Sequence, residues 1–198
     1  MSSVVISGDT SGAITVSAPV VAGTNTLTLQ AGTGTNSMNT LATAVASTSG
    51  TSIDFTGIPA WVKRITVMFQ GVSTTGISPT IIQLGYSGGF TGATYNSSGS
   101  SATSGVSSVT TTVGLYAISA PGGGGSGAAY AMNGMMTLAN LTGNTWASMC
   151  IVGQNSVAHT NWSGGIGTAG GTLTQIRITT VGGTETFDAG SINILYEG

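Results

Sequence analysis

The chain has 198 residues, of which only 4% are charged, and its formal net charge is −2. Three cations against five anions supply no basic patch, so we expect no nucleic-acid partner. Although 40% of the residues are hydrophobic, the apolar runs are far shorter than the roughly 20 residues of a membrane-spanning helix. The start "MSSVVISGDT" carries no secretory signal pattern, so we expect assembly in the cytosol and no membrane insertion.

Residues 1–38 are predicted to form an N-terminal segment separate from the rest of the chain. Two Thr- and Val-rich strands are expected there, in "AITVSAPVV" and "TNTLTLQA", before the turn or connector "AGTGTNS". Two strands do not stay folded alone. The segment must therefore pair with copies of itself, with the rest of the chain or with another protein.

Residues 39–198 are predicted to form an all-β sandwich or barrel. Short alternating segments separated by Gly, Asn, Ser and Pro are typical of such folds. The segments are "TSIDF", "VKRITVMFQGV", "TIIQLGY", "VTTTVGLYAIS", "AMNGMMTLANL", "TWASMCIVGQ", "LTQIRITTV" and "GSINILYEG". The Gly- and Ser-rich stretches 85–105 and 119–130 are predicted to be flexible loops.

Arg64 and Arg177 both begin the tripeptide "RIT" and both lie opposite neighbouring isoleucines in an alternating segment. One interpretation pairs either arginine with a carboxylate, which would fix strand register because a slip of one residue buries the charge. The candidate carboxylates are Asp54, Glu185, Asp188 and Glu197. The other interpretation makes both arginines solvent-facing edge residues that discourage aggregation.

Catalytic and metal chemistry find little support in the sequence. A Ser-His-Asp arrangement needs a histidine with a carboxylate partner, and the single histidine, His159, lies in a Gly-rich segment without a nearby acid. A lone Cys150 excludes an intrachain disulfide and a cysteine-based zinc site. We therefore predict no enzymatic activity, no cofactor and no metal.

Aromatic residues in Gly-rich stretches are the candidate receptor contacts. Ring faces beside amides and hydroxyls suit saccharide recognition, and the residues in question are Tyr86, Phe90, His159, Asn161 and Trp162. The alternative is that such rings pack under their own loops, which is the prediction for Tyr95. Residues predicted for the core or a subunit interface are Trp146, Met132, Met135, Met136 and Met149.

The stretches "GTSIDFTGIPAWVKRITVMFQGVST", "TLANLTGNTWASM" and "LTQIRITTVGGTETFDAGSINILYEG" resemble the C-terminal domain of tailed-bacteriophage tail-fibre and other virion appendage proteins. The opening "ISGDTSGAITVSAPVVAGTNTLTLQAGTGT" is similar to the strand units that precede such domains in fibre shafts. Many such chains end like "FDAGSINILYEG". The resemblance implies an antiparallel, jelly-roll-like β-sandwich with a short N-terminal shaft segment, assembled as a homotrimer.

The function that the resemblance implies is that of a bacteriophage virion structural protein. We expect a short trimeric tail fibre or a tail-tip adhesin that contacts a host-surface polysaccharide, with residues 1–38 bound to another virion protein. The alternative is a capsid decoration protein or head fibre with a purely structural role. Either protein would be assembled in the host cytoplasm and would be extracellular in the mature virion.

Overall fold

A computed structural model of the chain describes residues 3–7, 13–17, 39–102, 106–117, 130–155 and 159–198. These residues contain fifteen strands and no helix, which confirms the predicted all-β class. The described part of the chain thus has no helix that could span a membrane. The strands are β1 (Ser3–Ser7), β2 (Ala13–Ser17), β3 (Asn39–Leu41), β4 (Val45–Ala46), β5 (Ser52–Thr56), β6 (Arg64–Thr74), β7 (Thr80–Gly85), β8 (Thr94–Ala102), β9 (Val106–Thr111), β10 (Leu115–Tyr116), β11 (Met132–Thr142), β12 (Thr145–Gln154), β13 (His159–Thr168), β14 (Gln175–Thr180) and β15 (Phe187–Glu197).

The chain divides into two compact units, Met1–Asn36 and Ser37–Gly198. In the first unit, β1 and β2 form an antiparallel hairpin in which Val4 lies opposite Val16. The second strand of this hairpin falls in a segment predicted to be a strand, whereas β1 is absent from the prediction because "SVVIS" lacks strict alternation. The other predicted strand, residues 24–31, lies outside the described residues.

The second unit contains two antiparallel sheets. The larger sheet has nine strands, in the order β3-β15-β6-β11-β12-β13-β8-β9, with β4 also paired to β15. The smaller sheet has the order β10-β7-β14-β5. Both sheets contribute buried side chains to one hydrophobic core, including Phe55, Leu84 and Ile176 from the smaller sheet. This arrangement is consistent with a β-sandwich.

The larger sheet presents alternate residues to this core. On β6, Ile65 and Val67 are fully buried and Phe69 nearly so, while Arg64 and Gln70 are exposed. The alternation in "RITVMFQ" predicted these faces, because successive side chains of a strand point to opposite sides of a sheet.

Hydroxyl groups of the larger sheet bond to the backbone of β10, an edge strand of the smaller sheet. Ser97 Oγ on β8 accepts a hydrogen bond from Tyr116 N at 3.0 Å. Ser163 Oγ on β13 donates to Tyr116 O. These bonds satisfy backbone groups that would otherwise be unpaired inside the sandwich. They also explain how a chain rich in serine can bury those side chains.

The prediction of a flexible loop over residues 85–105 is wrong for its second half. Residues 94–102 form β8, which pairs with β13 along its whole length. Both strands are rich in Ser and Gly, residues that are typical of loops. They nevertheless form strands because inward serines such as Ser97 bond to backbone, here Gly164 O at 3.3 Å. Residues 118–129, nearly all of the other predicted loop, lie outside the described residues.

Candidate functional site

The outward side of the larger sheet carries a group of large apolar side chains that are exposed in the part of the chain that the structure describes. The exposed fractions are 56% for Met135, 64% for Met149, 57% for Ile151, 41% for Trp162 and 43% for Ile166. These five residues, which we call the apolar face, come from the adjacent strands β11, β12 and β13.

Strand register makes the apolar face continuous. Met135 lies opposite Ile151, and Ile151 lies opposite Trp162. The half-buried Met68 on β6 extends the same row on the other side of Met135. Directly opposite side chains in a sheet are close enough to touch. The row therefore crosses four strands without a polar interruption.

The rest of the band between these side chains is small or uncharged. None of β11, β12 and β13 contains an Asp, Glu, Lys or Arg residue. Outward positions beside the row hold Ala147 opposite Ile166, and Gly164 opposite Met149. The result is a surface without acidic or basic side chains from these three strands. Contiguous apolar surfaces of this kind mark sites where a protein contacts another protein, a membrane or a ligand.

The sequence identified only part of the apolar face. Met135 and Met149 had been predicted for the core or an interface, together with Trp146, Met132 and Met136, and the structure buries these last three. Ile151 and Ile166 were missed. The available signal was the alternation in "MCIVGQ", which puts Ile151 on the same side as Met149 and opposite the buried Cys150 and Val152.

The candidate receptor residues of "AHTNWSGG" do not share one surface. Trp162 belongs to the apolar face, whereas Asn161 is fully buried and donates through Nδ2 to Gln154 Oε1 at 3.2 Å. The prediction that Asn161 contacts a receptor is therefore wrong for the surface of this chain. The segment is a strand and not a loop, so neighbouring residues face opposite ways. His159 is half-buried, and its buried Nδ1 has no hydrogen-bond partner in the described structure.

The remaining aromatic candidates are packed against the chain. Tyr86 lies so close to Gly170 and Gly171 that a Cβ atom at either glycine would contact its ring. Phe90 lies beneath the guanidinium of Arg177, with 4.3 Å between Arg177 Cζ and the ring centroid. Each ring is thus partly covered by the chain.

Tyr95 packs against its own chain and not toward a receptor, as predicted, but it does so from strand β8 and not from a loop. Its hydroxyl accepts a hydrogen bond from Leu84 N at 2.7 Å, and the ring lies against the hydrophobic core. Burial raises the pKa of Tyr95, partly opposed by the hydrogen bond with Leu84.

The structure brings each arginine to one of the candidate carboxylates. Arg177 lies opposite Asp54 across β14 and β5, and its Nε and Nη2 donate to the two carboxylate oxygens at 2.8 and 2.7 Å. Arg64 lies opposite Glu197 across β6 and β15 and donates through Nε at 3.0 Å. The hydrogen bonds that Arg177 donates to Asp54 are the main cause of the raised pKa of Arg177. Both pairs are partly exposed, with the Arg177 and Asp54 side chains at 35% and 32%.

Neither arginine lies on an edge strand, since β6 and β14 each have a neighbour on both sides. The edge interpretation is therefore wrong, although both side chains do reach solvent.

The other two candidate carboxylates bind uncharged donors. Glu185 accepts from Ser78 N at 2.9 and 3.0 Å, and Asp188 accepts from the hydroxyl of Ser73.

The described residues contain no group of three or more His, Cys, Asp or Glu side chains able to hold a metal ion. Comparisons with protein-family models, curated proteins and solved structures find no match to this chain. The apolar face is therefore the feature of the structure from which function is argued.

Proposed function

We propose that this chain is a structural subunit of a bacteriophage virion, in the form of a short trimeric tail fibre or tail-tip adhesin. The observation that supports the proposal is the apolar face. Five exposed Met, Ile and Trp side chains on one side of three adjacent strands favour permanent burial in an assembly over exposure to water. The resemblance in sequence supplies the kind of assembly and the jelly-roll-like class of the sandwich.

The occupant that we propose for the apolar face is a second copy of the same chain. A partner needs a surface that is as poor in charge as the face itself, because an unpaired charge would lose its hydration there. Only 4% of this chain is charged, so its own surface meets that condition. Closed threefold symmetry would bury the face of every copy and end assembly at three.

Replacement of Ile151 by Asp tests the assembly. We expect light scattering to give three times the 19.4 kDa chain mass for the natural protein and one chain mass for Ile151→Asp. The matched control is Val113→Asp, which changes an apolar side chain of 45% exposure outside the apolar face and should leave the trimer intact. Circular dichroism would verify that both variants fold. A monomeric natural protein, or a trimeric Ile151→Asp variant, contradicts the proposal.

A second function, a capsid decoration protein or head fibre, is favoured by the placement of the receptor candidates. Asn161 is buried, and Tyr86 and Phe90 are packed against the chain, which leaves few of the side chains proposed to contact a host polysaccharide. Immunogold labelling and the copy number relative to the major capsid protein distinguish the two functions. Tail labelling with low copy number supports the tail protein, and head labelling supports the decoration protein.

A further inference from the structure

One end of the second unit contains a cavity of about 320 Å³, formed where the turn between β11 and β12 approaches the segment before β6. Lys63, Asn140, Asn144, Trp146 and Thr172 are among the residues that line it. We propose that this cavity binds the acidic sugar unit of a host polysaccharide. The inference rests on the proposed adhesin function and adds the class of ligand and the residues that recognise it.

Lys63 supplies the charge that selects an acidic ligand. The chain has three Lys and Arg side chains, and both arginines are engaged by Glu197 and Asp54. Among the described residues, Lys63 is the cation without such a carboxylate partner, and its side chain is exposed at the cavity. The nearby Glu197 is itself paired with Arg64, so it does not neutralise Lys63. A bound carboxylate would provide the missing counter-charge.

The uncharged part of the lining suits the ring and hydroxyl groups of a sugar. Asn140 donates through Nδ2 to the backbone oxygens of Gly143 at 2.9 Å and Thr145 at 3.2 Å, which fixes its amide and leaves Oδ1 as an acceptor. Trp146 is 3% exposed, and its buried indole Nε1 has no partner among the described residues. Trp146 nevertheless contributes to the cavity lining, so a bound ligand would lie beside its side chain.

Size and composition favour a single acidic sugar over other anions. A volume near 300 Å³ lies at the small end of ligand pockets. Phosphate groups are commonly held by arginine forks or by several backbone amides, whereas this cavity offers one ammonium group, amides, a hydroxyl and an aromatic ring. That set matches a hexuronic acid, whose one carboxylate accompanies several hydroxyls on a pyranose ring.

Calorimetric titration with methyl β-D-glucuronide tests the inference, with methyl β-D-glucoside and sodium acetate as comparison ligands. We expect the glucuronide to bind, and the glucoside and acetate to bind at least about tenfold more weakly, as loss of a charge-assisted bond or of the ring contacts predicts. Lys63→Met should reduce glucuronide affinity to that of the glucoside. Arg177→Met, on the other sheet, is the control variant and should bind normally.

Tryptophan fluorescence provides a second readout. Glucuronide should change the emission of Trp162→Phe as it changes that of the natural protein, and should change the emission of Trp146→Phe less, since only Trp61 beside the lining residues Ala60 and Val62 then remains near the cavity. Absence of glucuronide binding overturns the inference, as does unchanged affinity in Lys63→Met or equal affinity for acetate. Virion location is measured separately: a virion-bound protein that does not bind glucuronide contradicts this inference alone, and a glucuronide-binding protein that is absent from virions contradicts the proposed function alone.

Discussion

Cys150 lies on the inner side of β12, where its Sγ donates a hydrogen bond to Ala117 O at 3.3 Å. Burial raises the pKa of Cys150 to about 12, and a hydrogen bond with Ser163 partly opposes that rise. A thiol with such a pKa stays protonated at neutral pH and behaves as a small apolar group. Cys150 therefore belongs to the structure of the core and not to a reactive site.

The raised pKa of Cys150 predicts how stability depends on alkaline pH. The contribution of the Cys150 thiol to the free energy of unfolding is complete well below pH 9, where the thiol is protonated in both the folded and the unfolded protein. It is lost as pH rises toward 12, because the thiol of the unfolded protein ionises first. Between the two pKa values the loss should approach about 1.4 kcal/mol per pH unit. Urea unfolding at pH 7.5 and 10.5 should show a larger decrease for the natural protein than for Cys150→Ala. Equal decreases in the free energy of unfolding of the two proteins would contradict the raised pKa of Cys150.

The ion pair between Arg177 and Asp54 should contribute modestly to stability. Both side chains are about one-third exposed, so solvent screens the pair, while the two-pronged geometry and the Phe90 contact strengthen it. We expect Arg177→Met to lower the free energy of unfolding by about 1 kcal/mol. Arg64→Met should cost less, because Arg64 is 49% exposed and donates one bond. Chemical denaturation of both variants would check this order, and the reverse order would contradict it.

The arginines show what a sequence reveals about single residues. Alternation predicted that Arg64 and Arg177 leave the apolar side of their strands, and the structure agrees. Their partners depend on which strands are neighbours and in what register, information that residues 64–70 and 175–180 do not contain. The prediction for Asn161 failed at the level of its own segment. The Gly-rich composition hid the fact that this segment is a strand, so it did not indicate that the Asn161 side chain points into the core.

At the scale of elements, the pairing of β15 with β6 is interrupted by register shifts between Phe187 and Ser191. Gly190 in this region has a φ of +90°, and a Cβ atom there would overlap the backbone of Gln70 and Gly71 on β6. Irregularities of this kind bend a strand and are built around glycine. Glycine at position 190 therefore lets β15 approach the backbone of β6 this closely.

Gly190→Ala should destabilise the protein by more than 2 kcal/mol, because it adds overlap with backbone to the cost of a positive φ. The matched control is Gly57→Ala. Gly57 has a φ of +72° but no atom within 4 Å of the added Cβ, so about 1 kcal/mol is expected. Thermal unfolding of both variants measures the difference. A cost no greater at Gly190 than at Gly57 would show that β6 yields to the new side chain.

Strands β8 and β13 mark the limit of prediction at this scale. Their Ser and Gly content is typical of loops, yet both are long strands that lie second and third, respectively, from the β9 edge of the larger sheet. Their stability comes from pairing with each other and from hydroxyl bonds to β10. Such tertiary bonds override local preference. Strands with alternating large apolar residues, such as β6 and β14, were predicted because their own sequence indicates a strand without reference to tertiary hydrogen bonds.

At the scale of the whole molecule, residues 1–38 are proposed to attach the trimer to the virion, and the second unit to face outward. The two units are compact separately, and the core described above lies in residues 53–194. We therefore expect a chain lacking residues 1–38 to remain folded and soluble but to be absent from virions. Complementation of a phage with the shortened gene, followed by analysis of purified particles, measures this. Incorporation of the shortened protein would show that attachment lies elsewhere.

The uncharged character of the apolar face has a thermodynamic consequence for assembly. Association that buries Met135, Met149 and Ile151 releases water from apolar groups, so it should have a negative heat-capacity change and weaken on cooling. Sodium chloride should have little effect on it, since there are no charges on the face to screen. A virion appendage built in this way would hold together best in a warm host and would come apart most readily in cold water.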